Sequence, residues 1–243
     1  VDHTDRETVE YFNKEAPEYS LGRFEYAIRF IQSHGDENSS FLDVGCGVGN
    51  ILELVRNQTS VSEVAGIDVA ETVLAKARER LGCDTYLGSI VDSESIESIP
   101  KQYDFVLIAS VVHHLVGDTR GLSVRNAQVA VTNTLKLTKP GGYVILYEPG
   151  IYPEWTGAAL FQTKRLVTKF TTKRVQLLDK WNNIGAPVIS YYTDEQLQRM
   201  IGELPDVRIV DVHVEDAHVN FLWRVAGIRR RINTTIIIQD SSA

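Results

Sequence analysis

Phe41-Leu42-Asp43-Val44-Gly45-Cys46-Gly47-Val48-Gly49-Asn50 is the stretch on which the reading of the whole chain turns. Its apolar opening, Phe41, Leu42 and Val44, predicts a buried strand, and glycines at the alternate positions 45, 47 and 49 then allow a tight bend without Cβ clashes. Ile51, Leu52, Leu54 and Val55 follow at helical spacing. Strand, glycine turn and helix open a βαβ unit. In that unit a ligand can come close to the bare glycine backbone and to the amides that start the helix, at the carboxyl edge of a parallel sheet.

Working outward, strands and helices alternate. The patterns predict strands over 41–45, 64–68, 84–88, 103–109 and 142–147, with helices over 49–57, 70–81, 93–98 and 122–137 between them. This order implies a parallel sheet covered on both faces and joined by right-handed crossovers. An amphipathic helix is expected over 21–33. Residues 149–190 break the alternation, bounded by Pro149, Gly150, Pro153 and Gly157 on one side and Gly185-Ala186-Pro187 on the other, and read as an insertion, helical from about Trp155 to Trp181. Thr193-Asp194-Glu195-Gln196 has the form of a capped helix start. A strand over 207–214 and a final strand over 232–239 follow, with 218–231 open between helix and distorted strand.

The glycine spacing bears on the ligand. A dinucleotide turn would read G-x-G-x-x-G, whereas this one is Gly45-x-Gly47-x-Gly49 with the acid Asp43 just ahead of it. A carboxylate there repels a pyrophosphate and suits an ammonium group. Val64-Ala65-Gly66-Ile67-Asp68-Val69 then ends a second strand in an acid, the position from which a carboxylate can hold ribose hydroxyls. An amino group with an unphosphorylated ribose describes S-adenosylmethionine better than NAD.

D-x-G-x-G-x-G followed by a strand ending in Asp resembles the class I S-adenosylmethionine-dependent methyltransferases. Leu87-Gly88-Ser89-Ile90, Tyr103 to Ser110 and Lys139-Pro140-Gly141-Gly142 leading into Tyr143 to Leu146 fit the same family in order, so the resemblance covers residues 41 to 148. It implies a doubly wound, mostly parallel seven-stranded α/β sheet of Rossmann-like methyltransferase type, the last strand antiparallel, in one domain over 1–243. An N-terminal lid and helix over 1–35 and a helical substrate cap at 149–190 complete that plan. By the same resemblance Asp43, Gly45, Cys46, Gly47 and Gly49 hold the methionine end of the cofactor, Asp68 and Val69 the ribose side, Gly88, Ser89 and Ile90 the adenine, and Ala109 and Ser110 the floor. Tyr11-Phe12-x3-Ala16-x2-Tyr19 is similar to the segment with which small-molecule members close over the cofactor, making Tyr11 and Tyr19 lid residues. Family members often carry an acid where this chain has Ser89; backbone groups or Asp92 would have to supply that contact.

Composition narrows the partners. A length of 243 residues at 43% hydrophobic suffices for one large core, and a net charge of −7 speaks against a general nucleic-acid binder. Cys46 and Cys83 sit within predicted core elements with no metal or redox spacing, so a reduced, cytoplasmic protein is expected. Neither an apolar run of about 18 residues nor a signal-peptide pattern occurs.

If the acceptor is a hydroxyl or an ammonium, a base must remove its proton. His113 and His114, just beyond the fourth strand, are the candidates, His114 slightly preferred, with Glu148 at the end of the fifth strand next and His213 and His218 weaker. The alternative for each is a bracing contact. No acid and histidine cluster has metal-ligand spacing, so no metal is expected. The cap carries Lys164, Arg165, Lys169, Lys173, Arg174 and Lys180 against Asp179, a basic stretch that could meet an anionic or carrier-linked acceptor or a membrane surface, or simply be solvated. Arg224 and Arg229-Arg230-Arg231 could extend it. The expected activity is methyl transfer to oxygen or nitrogen of a small molecule. The rivals are a cofactor-binding partner or scaffold without turnover and, less favoured, an NAD-dependent oxidoreductase. The Asn/Asp-Pro-Pro-aromatic motif of base-amine methyltransferases is missing from Ser110-Val111-Val112-His113.

Overall fold

The structure, a computed structural model, describes residues 21–170 and 188–241. Five strands, β1 (Ser40–Val44), β2 (Glu63–Asp68), β3 (Asp84–Leu87), β4 (Tyr103–Ala109) and β5 (Thr138–Tyr152), run parallel. The sheet is completed by β6 (Val207–Ala217) and β7 (Arg230–Asp240), with β7 antiparallel to both β5 and β6, in the order β3-β2-β1-β4-β5-β7-β6. Strand order reverses between β1 and β4. In an open α/β sheet that reversal leaves a crevice beyond the carboxyl ends of the two strands, and the glycine turn lies there.

Helices α1 (Glu25–His34), α2 (Asn50–Gln58) and α3 (Glu71–Leu81) cover one face, and α5 (Arg120–Lys136) and α7 (Asp194–Gly202) the other; α4 (Ser93–Glu97) is a single turn. Because successive side chains of a strand point to opposite faces, β1 splits between two cores. Leu42 and Val44 join Val106, Ile108, Val144 and Leu146 under Ala130, Val131, Leu197 and Ile201, while Phe41 joins Phe105, Leu107 and Ile145 under Ile28, Ile31, Leu52 and Leu74. Asp43 therefore faces the second core, at its carboxyl edge.

Most predicted elements stand within two residues of their observed limits. The fifth strand is an exception. It does not stop ahead of Pro149 but runs on to Tyr152, because β7 pairs with it as far as Tyr152↔Arg230 after β4 has ended opposite Tyr147. Pro149 is tolerated there since no strand lies on its β4 side to require its missing N–H. The cap helix α6 spans Glu154–Phe170; the rest of the predicted helix to Trp181 lies outside the described residues. Thr193 and Gln196 form the expected capping box. Between β6 and β7 the chain makes a single helical turn, α8 (Phe221–Val225), capped by the Asn220 side chain.

Phe105 is 2% exposed, lies opposite Phe41 in the β1–β4 register, and stacks on Tyr143 with ring centroids 6.0 Å apart. Phe105→Ala should cost about 3–5 kcal/mol of stability, read as a shift of the urea midpoint at unchanged slope.

Candidate active site

The glycine turn is held by the second strand. Gly45 and Cys46 amides donate to the Ile67 carbonyl at 2.8 and 3.2 Å, and the Gly47 amide donates to Asp68 Oδ2 at 2.9 Å. Gly45, Gly47 and Gly49 all have left-handed φ, at 78°, 53° and 81°. Around Gly47 no atom of the described residues lies within 4 Å of where a Cβ would stand, so they leave this part of the turn uncovered, whereas a Cβ on Gly49 would lie 2.8 Å from Leu81. Cys46 packs its sulfur against Gly66 of β2, and burial pushes its thiol far up, so it is a filler of the turn and no nucleophile.

Asp43 is 1% exposed, and neither carboxylate oxygen has a hydrogen-bond partner among the described residues. Burial, with a further contribution from the charge of Asp68, raises its pKa well above the ordinary range. Buried polar groups are normally paired, and an unpaired one costs several kcal/mol or more when ionised. A positively charged or multiply donating ligand beside Gly47 would relieve that cost. Asp68 is raised more mildly, burial being opposed by the amides of Gly47, Ala70 and Val69. Each of its oxygens has one of these partners, Gly47 at 2.9 Å and Ala70 at 3.0 Å, which fixes the carboxylate and leaves lone pairs for hydroxyl donors.

Val69 and Leu87, 37% and 57% exposed, stand at the ends of β2 and β3. Gly88 donates to the Asp68 carbonyl at 3.0 Å, and the Ser89 amide to Ser95 Oγ at 3.3 Å. Ile90 is buried, and its carbonyl accepts from Asn133 at 2.7 Å. Asp92 is committed to capping α4 through Ser95, whose hydrogen bonds lower its pKa.

Beyond β4, Ala109 leads to Ser110, a non-glycine residue at φ 58° whose Oγ is buried without a partner among the described residues. Strain of that kind gathers at functional sites. The chain then makes a short 3-10 turn over Val112–His114, organised by Glu148. Glu148 is 1% exposed; Oε1 accepts from the amides of Val111 and Val112 at 2.8 and 2.6 Å, and Oε2 lies 2.6 Å from His113 Nδ1. With Nδ1 as donor, a neutral His113 keeps Nε2 as an acceptor. His113 and His114 rings are 4.1 Å apart, and Tyr191, from the return limb of the cap, stacks on His113 at 5.6 Å. Burial first, then His113 and Lys164, hold His114 well below the ordinary histidine pKa, and burial brings Lys164 down to about 8.

The structure thus gathers Asp43, the glycines, Asp68, Gly88 and Ser110 along one sheet edge, with His113, His114 and Glu148 at its β4–β5 end. Tyr11 and Tyr19 lie outside the described residues. His213, bonded to Glu215 at 3.0 Å and stacked on Tyr26 at 4.2 Å, is engaged on β6. Sequence reasoning passed over Tyr191 and Arg120, and named Lys164 only within the basic stretch of the insertion and Leu87 only as the first residue of Leu87-Gly88-Ser89-Ile90. Arg120 ties the start of α5 to Ser190 Oγ (3.0 Å) and the Tyr191 carbonyl (2.7 Å) and so holds the segment that covers His113. Among the described residues no group of three or more His, Cys, Asp or Glu could hold a metal ion, and no helix is long and apolar enough to cross a membrane.

Comparison with known proteins agrees with this geometry. Residues 42–144 match a family model described as a methyltransferase domain. A ubiquinone/menaquinone biosynthesis C-methyltransferase from Geobacter sulfurreducens is 29% identical over 117 residues, 46% of this chain and 42% of that protein. The chain thus spans less than half the length of this curated relative. Among solved structures, a SAM-dependent methyltransferase from Anabaena variabilis superposes with a TM-score of 0.66 at 15% identity, covering 99% of this chain and 96% of that one. The N-methyltransferase NodS of Bradyrhizobium japonicum, in complex with S-adenosyl-L-homocysteine, gives 0.56 at 13% identity, covering 95% and 98%. At these identities the solved structures establish the shared fold.

Because the folded-state pKa of Asp43 is raised, the native protein binds more protons than the unfolded chain above the ordinary aspartate value. Stability should therefore fall as pH rises from about 4 toward the raised value, by up to about 1.4 kcal/mol per pH unit for one proton. Asp43→Asn should flatten that slope, seen as the difference between wild-type and variant urea midpoints across a pH series.

Proposed function

We propose that this chain, whose residues 42–144 match a methyltransferase-domain model, is a class I S-adenosylmethionine-dependent methyltransferase that transfers a methyl group from S-adenosylmethionine to oxygen or nitrogen of a small molecule. The observation that carries the reading is the buried Asp43 carboxylate, without a partner among the described residues, two residues ahead of the glycine turn in which Gly47 is uncovered. The ligand that satisfies it must bring a cation or several donors, and a pyrophosphate would be repelled. A nicotinamide dinucleotide is therefore disfavoured on charge as well as on glycine spacing.

The residues fit the cofactor in parts. Asp43 and the turn would receive the ammonium end, Asp68 the ribose hydroxyls, and the exposed Val69 and Leu87 side chains would offer apolar surface to the adenine, with Gly88 to Ile90 at its edge. Tyr11 and Tyr19 would close over it. S-adenosylmethionine supplies a methyl group activated on a sulfonium, so the protein's share of the reaction is to position the acceptor in line and remove its proton.

Glu148 positions the turn after β4 and orients His113 through Nδ1. His114, neutral at pH 7 because its pKa is depressed, is the proton acceptor for an acceptor seated over Ser110, with His113 Nε2 as the second group able to take that role. Lys164 adds positive charge on the cap side, suited to an anionic or carrier-linked acceptor. The cap over 149–190 would thus form the acceptor side of a single domain.

The test is transfer of a labelled methyl group from S-adenosylmethionine to metabolite fractions, with mass spectrometry of the product to give the atom methylated. Binding without transfer to any fraction would favour the partner or scaffold role instead. Asp68→Ala should weaken S-adenosylhomocysteine about tenfold to hundredfold by calorimetry, the worth of a hydrogen bond to a charged group. His114→Ala should lower kcat about 10²–10⁴-fold and leave that affinity within about twofold; a variant that keeps its rate across pH removes His114 from the mechanism.

A further inference from the structure

The turn α8 between β6 and β7 is out of place on a folded surface, since none of its five residues is buried. Phe221 and Val225 are 76% and 70% exposed, and Leu222 is exposed beside them. Trp155, at the start of α6 and 61% exposed, adjoins this turn: a Cβ on Gly227, just past α8, would lie 3.0 Å from its ring. Leu166, 58% exposed, continues the apolar face about three turns along α6. Contiguous exposed apolar side chains of this kind mark interaction surfaces.

The rim of the patch is rich in arginine, with Glu154 beside Trp155 and Asp216 against Arg230 as its acids. Residues 217–231 contain Arg224, Arg229, Arg230 and Arg231 and no acid, in a chain of net charge −7. Arg231 lies over the Trp223 ring at 5.0 Å and donates to the His218 carbonyl at 3.1 Å, while Arg230 lies over Tyr152 at 5.5 Å and pairs with the exposed Asp216 at 2.6 Å. Arg224 and Arg229 are both exposed. Aromatic and aliphatic side chains on a protruding turn, ringed by arginines, have the composition of an interfacial membrane contact. The chain as a whole is acidic and repelled by an anionic surface, and this arginine-bearing apolar turn is a local exception to that charge. Self-association is disfavoured, because a two-fold contact would set the arginine rim against itself.

We propose that α8, Trp155 and the arginines at 224 and 229–231 form a docking face for an anionic lipid bilayer. The face adjoins the candidate active site: Trp223 meets Tyr191 edge-on at 6.4 Å, and Tyr191 stacks on His113 at 5.6 Å. A docked chain would therefore hold the acceptor side of its site next to the lipid headgroups. Docking does not depend on the methyl-transfer reading and is measured without cofactor.

The experiment is co-sedimentation of the full chain with phosphatidylcholine vesicles, with and without phosphatidylglycerol. Binding is expected only with the anionic lipid, falling steeply with salt, with a blue shift of tryptophan emission. Phe221→Ser combined with Val225→Ser should lower partitioning at least about tenfold. Arg224→Gln and Arg229→Gln should each lower it about fivefold. All four side chains are exposed, so the melting temperature should stay put. The proposal is overturned if the chain ignores anionic vesicles, if the variants partition like the wild type, or if the patch substitutions abolish self-association or capture of an acidic protein while no vesicle binding is seen.

Discussion

A carboxylate shut away from water without a donor among the described residues is the constraint around which the rest of the structure is arranged. Asp43 stands on β1 because strand alternation turns it toward the α1–α3 face, and it is buried because the glycine turn passes directly after it. Any well-packed alternative, such as a leucine, would be more stable. Under the proposed function a bound cofactor would complete the position, and the neighbouring features fit that reading: Gly47 leaves its backbone uncovered among the described residues, and Gly66 makes room for the Cys46 sulfur so that the turn can lie flat on β2.

A second acid does the opposite. Glu148, equally buried, has its oxygens filled by two backbone amides and an imidazole, so it fixes the loop after β4 and costs nothing in unmet hydrogen bonds. Asp43 lies near the end of β1 and Glu148 on β5 just past the end of β4, on either side of β4. Between them Ser110 adopts a left-handed backbone that an ordinary loop would avoid. The bracing by Glu148 and the hydrogen bond from the Ser110 amide to the Tyr147 carbonyl, 2.8 Å, hold that conformation in place.

The parts that were legible in the sequence are those in which cause and effect are close together along the chain. The strand, the glycines and Asp43 fall within one stretch of ten residues, and Asp68 ends the next strand, so the strand, its turn and the burial of the two acids follow from neighbouring residues. Element limits failed where pairing partners are distant: Pro149 looks like a stop, yet β7, some eighty residues on, keeps the strand going to Tyr152. The start of α5 at Arg120 was placed late because Gly117 and Gly121 obscured the Thr119 cap, which accepts from Leu122. Tyr191 carries no local signal at all, while Lys164 shows only as one cation of a basic stretch and Leu87 only as the start of a turn motif. They reach the site through packing, and Glu148 reads simply as a terminal acid until the fold brings the Val111 and Val112 amides to it.

The overhang of β5 past β4 has a mechanical consequence. From Glu148 to Tyr152 the strand is bonded only on its β7 side, and α6 starts immediately beyond it. The overhang is therefore carried by β7 and by the bonds of Tyr152 to Asp194 and Glu195, and not by the parallel part of the sheet. The helix that bears Trp155 and Lys164 is thus mounted on the antiparallel edge, mechanically separate from β1 and the glycine turn, so a shift of one need not move the other.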